Sequence, residues 1–286
     1  MTDTVRGVCR RNRILLSGIC GATLVCAGLP AAQADDVDVI QGKGNISLGT
    51  FTNNSEMKIR VDGEGDQGSI VDWGNEFGNK DVTRFRLDGL WRFNPRHHVR
   101  VMYTDYSRNK SNTIDQDIEW QGDTIPANAT VKSHLGFSII EAAYEYGFIN
   151  NDKYELAASA GLHWTTLTAS LKATVDLGGG GGTAEVGGPA SADLPLPVLG
   201  VRGMWRMGDS DFYLDGQVQY FSMNIDNIDG SILNYRGALT WQPSKWVGIG
   251  IGYDSFNIDV NAKKDRFTGS MDWTYSGPQV FYNVSF

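Results

Sequence analysis

Apolar and polar side chains alternate along most of this chain, and no helical amphipathic run of comparable length interrupts them. In Phe85–Phe93 the odd positions are apolar or glycine, and the even ones carry Arg86, Asp88 and Arg92. In Tyr154–Trp164 one face is Tyr, Leu, Ala, Ala, Leu and Trp, and the other is Glu, Ala, Ser, Gly and His. Residues 199–207 and 212–220 repeat the pattern. Period two over such lengths predicts β-strands with two different faces.

A soluble sandwich would also alternate, with one face in a core and one in water. Three features point elsewhere. The alternating runs are long, about 10–13 residues, where soluble strands average about 5–6 and bilayer-crossing strands need about 9–11. Trp91, Phe93, Tyr146, Phe148, Tyr154, Trp205, Phe212, Trp241 and Trp246 all lie within a few residues of a short turn. An aromatic girdle at one membrane interface has that placement. Finally, short turns at 94–97, 150–152, 208–210 and 242–245 alternate with long connections near 52–81, 109–135, 166–195 and 256–266. Transmembrane barrels show that asymmetry.

The chain ends in an alternating run closed by an aromatic residue: Val280, Tyr282, Val284 and Phe286. That ending resembles the assembly signal of bacterial outer-membrane barrels. In pattern, residues 40–286 resemble the small OmpA-type and OmpW-type barrels. The resemblance implies an all-β, antiparallel up-and-down transmembrane barrel, an outer-membrane address with both termini periplasmic, and contact with lipid, lipopolysaccharide and the assembly machinery. It carries no particular activity. The turns divide the chain into ten strands, with eight or twelve as alternatives: 44–51 or as far as 60, 82–93, 98–107, 136–148, 153–165, 196–207, 211–223, 231–242, 245–256 and one ending at 286. Phe267–Tyr275 reads either as the upper part of the last strand or as a separate piece, and residues 114–120 as a hairpin in a loop.

The first 34 residues read as a secretory signal. Arg6, Arg10, Arg11 and Arg13 precede an apolar stretch, Ile14–Leu29, and Ala32-Gln33-Ala34 is a cleavage site. The apolar stretch is short of the roughly 20 residues that a helical span requires. Residues 35–286 would then form a single barrel domain. The signal carries four basic residues and one acidic, so of the 25 basic and 33 acidic residues 21 and 32 remain, a net −11. Cys9, Cys20 and Cys26 all leave with it, and with them any disulfide or thiolate site. An acidic chain argues against nucleic acid as a partner.

With the aliphatic and aromatic face toward lipid, the other face lines the lumen. It holds Arg84, Arg86, Asp88, Arg92, Arg100, Glu141, Glu145, Glu155, His163, Arg202, Arg206, Asp215, Gln217, Gln219 and Arg236. These side chains make either a packed plug of ion pairs or a hydrated, charge-lined pore, and ten strands leave little room for the latter. The expected activity is therefore passive, a narrow pore or a structural envelope protein, acting as a monomer. Binding through the loops, with a flexible Gly-rich stretch at 178–188, is the first alternative. A lipid or peptide hydrolase is the second. Whether the chain is an enzyme is left open, with little in the sequence for it: no Gly-x-Ser-x-Gly is present, and His97 and His98 fall in a turn, where solvation is expected, and His134 in a loop. Residues 62–68 approach a calcium loop but put Gln67 where the pattern needs glycine, so neither metal nor cofactor is implied.

Overall fold

A computed structural model describes residues 39–78, 81–176, 183–225, 228–264 and 267–286. The expected signal segment lies outside these residues. The elements in chain order are β1 (Gly44–Val61), β2 (Val71–Asp72), α1 (Trp73–Phe77), β3 (Asp81–Asn94), β4 (His97–Thr113), β5 (Ile118–Trp120), β6 (Asp123–Ile125), β7 (Thr130–Asn150), β8 (Tyr154–Asp176), β9 (Thr183–Arg206), β10 (Phe212–Ile225), β11 (Ile228–Trp241), β12 (Val247–Lys264) and β13 (Phe267–Ser285). Ten strands form a closed antiparallel ring in the order β1-β3-β4-β7-β8-β9-β10-β11-β12-β13, with β13 pairing back onto β1. Closure runs from Asn45↔Ser285 to Val61↔Gly269, and Gly44 and Phe286 exchange both backbone hydrogen bonds at 3.0 Å. No strand edge is left between the first and last strands, which is what a barrel gains by closing.

The ten strands of the sequence reading are all present, but most run well beyond it. Residues read as loops near 109–135, 166–195 and 256–266 are largely paired strand. Ser107↔Gly136 continues to Thr113↔Thr130, Thr166↔Asp193 to Asp176↔Thr183, and Phe256↔Tyr275 to Lys264↔Phe267. Phe267–Tyr275 is the upper part of the last strand. The Gly-rich stretch falls partly outside the described residues, and its remainder, Thr183–Gly188, belongs to β9.

The reason for the difference is an inversion of polarity. Near the short turns, β8 points Tyr154, Leu156, Leu162 and Trp164 outward and Glu155, Ser159 and His163 inward. Above Trp164 its inward residues are Leu167, Ala169, Leu171 and Ala173, and Thr168 and Lys172 face out. The strand has not slipped, and every second side chain still points the same way. β12 does the same: Ile249, Ile251 and Tyr253 are outside and Asp254 inside, then Phe256, Ile258 and Val260 are inside and Asp259 and Asn261 outside. β1, β7, β9, β11 and β13 invert at matching heights.

The barrel thus has two storeys. The turn-end storey is apolar outside and polar inside. On β8 its belt covers Tyr154–Trp164, which at 3.4 Å per residue and a tilt near 40° is about 25 Å tall, the height of the hydrocarbon band in transmembrane barrels. All nine aromatics read as a girdle are exposed at its lower rim. A second ring at its upper rim, Phe85, Trp164, Tyr220 and Tyr253, was not identified from the sequence. The loop-end storey is polar outside and holds one apolar core, centred on Phe137, Phe256, Trp273 and Tyr275 with ring centroids 4.2–5.7 Å apart. On β8–β9 it rises about 30 Å above the belt.

Two chain segments cap this core. β2 leads into α1, whose N-terminus is capped by Asp72 accepting from the Asn75 amide and whose end is turned by Gly78 at φ 65°. The β5–β6 hairpin lies against it, with Trp73 and Trp120 fully buried and 5.7 Å apart. Trp120 Nε1 donates to the Gly188 carbonyl at 2.9 Å, which ties the hairpin to the top of β9.

Two substitutions probe the belt directly. Val218 is exposed on the outer face of β10 and its neighbour Gln217 is buried. Val218→Arg should destabilise the protein in bilayers by about 2–4 kcal/mol, as arginine does near the midplane. Thr168→Arg, on the outer face above the belt, should be tolerated in the same refolding titration.

Candidate functional site

The lumen of the turn-end storey is the densest polar region of the molecule. Of the residues read as lumen-lining, Arg84, Arg86, Asp88, Arg92, Arg100, Glu141, Glu145, Glu155, His163, Arg202, Gln217 and Gln219 are buried, and Arg206, Asp215 and Arg236 are half-buried. They sit on seven strands, and the ring brings most of them together in two connected chains, while Arg206 donates from Nε to the Ser210 carbonyl at 3.0 Å.

In the first chain, Arg86 donates through Nε to Asp88 at 2.8 Å and through Nη1 to Asp254 at 2.6 Å. Asp88 also meets Arg236 at 3.4 Å, and Asn234 donates to Asp254 at 2.9 Å. In the second, Arg100 bridges Glu141 and Glu145, each at 2.8 Å. Glu145 passes to Arg202 at 2.9 Å, and Arg202 pairs with Glu155 and reaches Asp215 at 3.4 Å. Glu155 ends the chain on Arg92 at 3.3 Å, with His98 3.8 Å away. Gln219 donates to Glu141 at 2.6 Å, and His163 lies 3.9 Å from the same carboxylate, stacked on Phe256. Charges this deep are stable only when each finds opposite charge and hydrogen bonds.

Several members of the lattice were not identified from the sequence. Asp254 and Asn234 lay in correctly placed strands and share the inward phase of Gly250 and Gly252, or of Arg236, so parity could have identified them. His98, read as a solvated turn residue, is fully buried beside Glu155. β4 begins at His97, so His98 is already its first inward position. His134, read as a loop residue, lies in β7, where its Nδ1–H donates to the Asn109 side-chain oxygen 2.8 Å away.

Arg84 marks the boundary between storeys. Its guanidinium lies 4.5 Å from the Tyr275 ring centroid and 4.8 Å from that of Phe137, with Phe51 and Trp273 at 5.2 and 5.5 Å. Cation–π attraction suits a charge that must stand next to an apolar core. Together, the lattice and that core leave little space. The cavity within the lattice measures about 60 Å³, and a second, beneath Trp73, about 10 Å³. At the turn end, Val39 and Ile40 tuck against Met204 and Tyr213 and close the mouth.

The lattice contains no nucleophile paired with a base. Among the described residues no histidine is hydrogen-bonded to a serine, and no three metal-ligating side chains are placed to hold one metal ion. On the outer wall of the loop-end storey, Asp229, Asp259 and Asp272 are near neighbours. Burial first, then Asp272 and Asp229, raises the Asp259 carboxyl above its ordinary range.

No family model and no curated protein matches the chain. Solved structures do. The outer-membrane protease OmpT of Escherichia coli matches with a TM-score of 0.57 at 13% identity, over 85% of this chain and 96% of that one. The fold is that of a small outer-membrane β-barrel. Ail of Yersinia pestis, an attachment invasion locus protein, and the toluene transporter TodX of Pseudomonas putida also match. Their TM-scores are 0.35 and 0.32 at 11% and 10% identity, over 86% and 85% of this chain and 99% and 89% of theirs.

Of the C-terminal residues singled out as an assembly signal, Val280, Tyr282 and Val284 lie on the closing strand and Phe286 directly follows it. Val280, Tyr282 and Val284 are exposed on the outer face, and the Phe286 ring packs 5.7 Å from Trp91.

Glu145 is the joint of the second chain, accepting from both Arg100 and Arg202 while fully buried. Glu145→Leu leaves two guanidiniums facing each other and should cost about 3–5 kcal/mol, the usual result of removing one partner of a buried pair. Equilibrium unfolding in detergent micelles measures it.

Proposed function

We propose that this chain is a closed, non-conducting barrel of the outer membrane. In this reading the turn-end storey spans the bilayer, and the loop-end storey is held as a rigid stand beyond the outer leaflet. Of the two passive roles expected, a narrow pore and a structural envelope protein, the geometry supports the second. The observation that carries this is the double seal. Ion pairs fill the membrane storey, and an apolar core with two capping segments fills the storey above it. A solute would have to break both.

Orientation follows from the same reading. Short turns and both chain ends belong on the periplasmic side, because the tall storey could not be accommodated by tight turns and needs the outer aqueous space. The cap faces outward and is acidic: residues 62–78 and 114–129 carry nine carboxylates, Asp62, Glu64, Asp66, Asp72, Glu76, Asp115, Asp117, Glu119 and Asp123, and no lysine or arginine. Such a surface repels polyanions. The hydrolase alternative gains nothing from the lumen, whose carboxylates are all engaged by arginine.

Refolded protein in a planar bilayer should show no steady openings, whereas the double variant Arg100→Ala/Arg202→Ala, which removes the central cations of the lattice, should leak ions. Steady openings of the wild type would overturn the closed reading. For orientation, the three cysteines all lie within the first 34 residues, so engineered thiols in the barrel are free of background. Asp117→Cys should react with a membrane-impermeant maleimide on intact cells, and Ser244→Cys only after the outer membrane is permeabilised.

A further inference from the structure

The outer wall of the belt is not even. Across β8 to β12 one hydrogen-bonded row reads Leu156, Gly203, Gly216, Gly237 and Tyr253, all on the outer face. The three glycines floor an apolar recess of about 600 Å³, walled by Tyr154, Trp205 and Leu214. Glycine weakens a strand interior and often marks a place where a ligand or another backbone comes close. Packing within the protein does not call for it here. A Cβ on Gly237 meets nothing within 4 Å, and one on Gly216 meets only the Arg236 carbonyl, at 4.0 Å. On the inner face of the same wall, by contrast, a Cβ on Gly200 or Gly252 would lie 2.6 Å from its nearest neighbour.

The row also climbs. Leu156 is close to the start of β8 at Tyr154, whereas Tyr253 is well above the start of β12 at Val247. Four strand spacings of about 4.8 Å make the row about 19 Å long, and a strand tilt near 40° makes it rise about 12 Å. The hydrocarbon of one leaflet is about 15 Å thick, half of the bilayer core. The recess therefore starts at the turn-end girdle and ends within one leaflet. At its foot, Lys153 precedes Tyr154, and its Nζ lies 3.7 Å from Asp209 Oδ1 in the turn between β9 and β10, both side chains exposed. An exposed pair of this kind contributes little to folding. It does set one cation and one anion side by side at headgroup level.

From the recess, the glycines that packing leaves unexplained and the charge pair at its foot, we infer that this wall binds one phospholipid with a zwitterionic amine headgroup, phosphatidylethanolamine, from the periplasmic leaflet. One acyl chain lies along the glycine floor, the phosphate meets Lys153 and the ammonium meets Asp209. A second barrel would bring a convex wall, which cannot follow that floor. The inference rests on the reading that the turn-end storey spans the bilayer with its turns in the periplasm.

The test uses the full barrel refolded into vesicles of mixed phosphatidylethanolamine and phosphatidylglycerol, extracted in mild detergent and weighed by native mass spectrometry. The wild type should keep one phosphatidylethanolamine through extraction. Gly216→Phe, which reaches into the recess from its floor, should lose it. Lys153→Glu, in an exposed turn, should cut retention by about tenfold, as losing one charge-assisted contact does. Should Gly216→Phe fail to refold, Lys153→Glu and the wild-type headgroup preference decide alone. Phosphatidylglycerol retained equally well, or a mass of two barrels, overturns the inference. Insertion into vesicles without a retained lipid overturns it alone, whereas failure to insert contradicts the membrane reading beneath it.

Discussion

In a closed hydrogen-bonded barrel, each residue's side chain is committed to the inside or the outside by its place in the register. A strand cannot exchange its faces partway up without a bulge, and the two irregularities of the ring among the described residues, at Arg92/Asn94 and Gly147/Ile149, both lie at the turn end. A change of surroundings along the barrel axis must therefore be written into the chain as a switch of which parity is apolar. The switch occurs at one level around the ring, near Trp164 on β8, Tyr253 on β12 and Ile140 on β7. Below it the wall meets lipid and encloses charge. Above it the wall meets water and encloses hydrocarbon.

The energetics of the two storeys differ accordingly. The upper one is an ordinary water-soluble packing problem, with large side chains such as Trp273, Phe256 and Ile258 withdrawn from solvent. The lower one gains less from burying apolar surface inside, where Met204, Tyr213 and Phe281 are among the few large apolar side chains, because most of its apolar side chains face outward. Its interior is held by charge-assisted hydrogen bonds between strands distant in sequence, Arg86 to Asp254 and Arg202 to Glu145 among them. Small residues help the walls close around these contacts. Gly250 faces inward, where the Phe281 ring occupies the space a Cβ would need.

Much of this was legible in the sequence. Strand number follows from the spacing of the turns, and the inward and outward sets near them follow from period two, because one solvent borders each face there. The upper storey was not. Its outward residues Thr166, Thr168, Ser170 and Lys172 look like loop composition when polarity alone is read, although Leu167, Ala169 and Leu171 keep the alternation intact. The signal was a phase reversal rather than a loss of pattern. Ion-pair partners were beyond reach for a different reason. Parity says that Arg86 and Asp254 point into the same lumen, but only the ring order and stagger decide that they touch.

The inversion can be read out residue by residue. Single spin labels placed at the even positions of β8 from 154 to 174, in protein reconstituted into bilayers, report whether each outward site meets lipid or water through their relative accessibility to oxygen and to a water-soluble nickel complex. Labels from 154 to 164 should favour oxygen, with the preference switching to nickel between 164 and 168 and persisting to 174. Oxygen preference continuing to 174 would place the whole strand in the membrane. Nickel preference from 154 onward would take it out of the membrane. Either result would contradict the two-storey account.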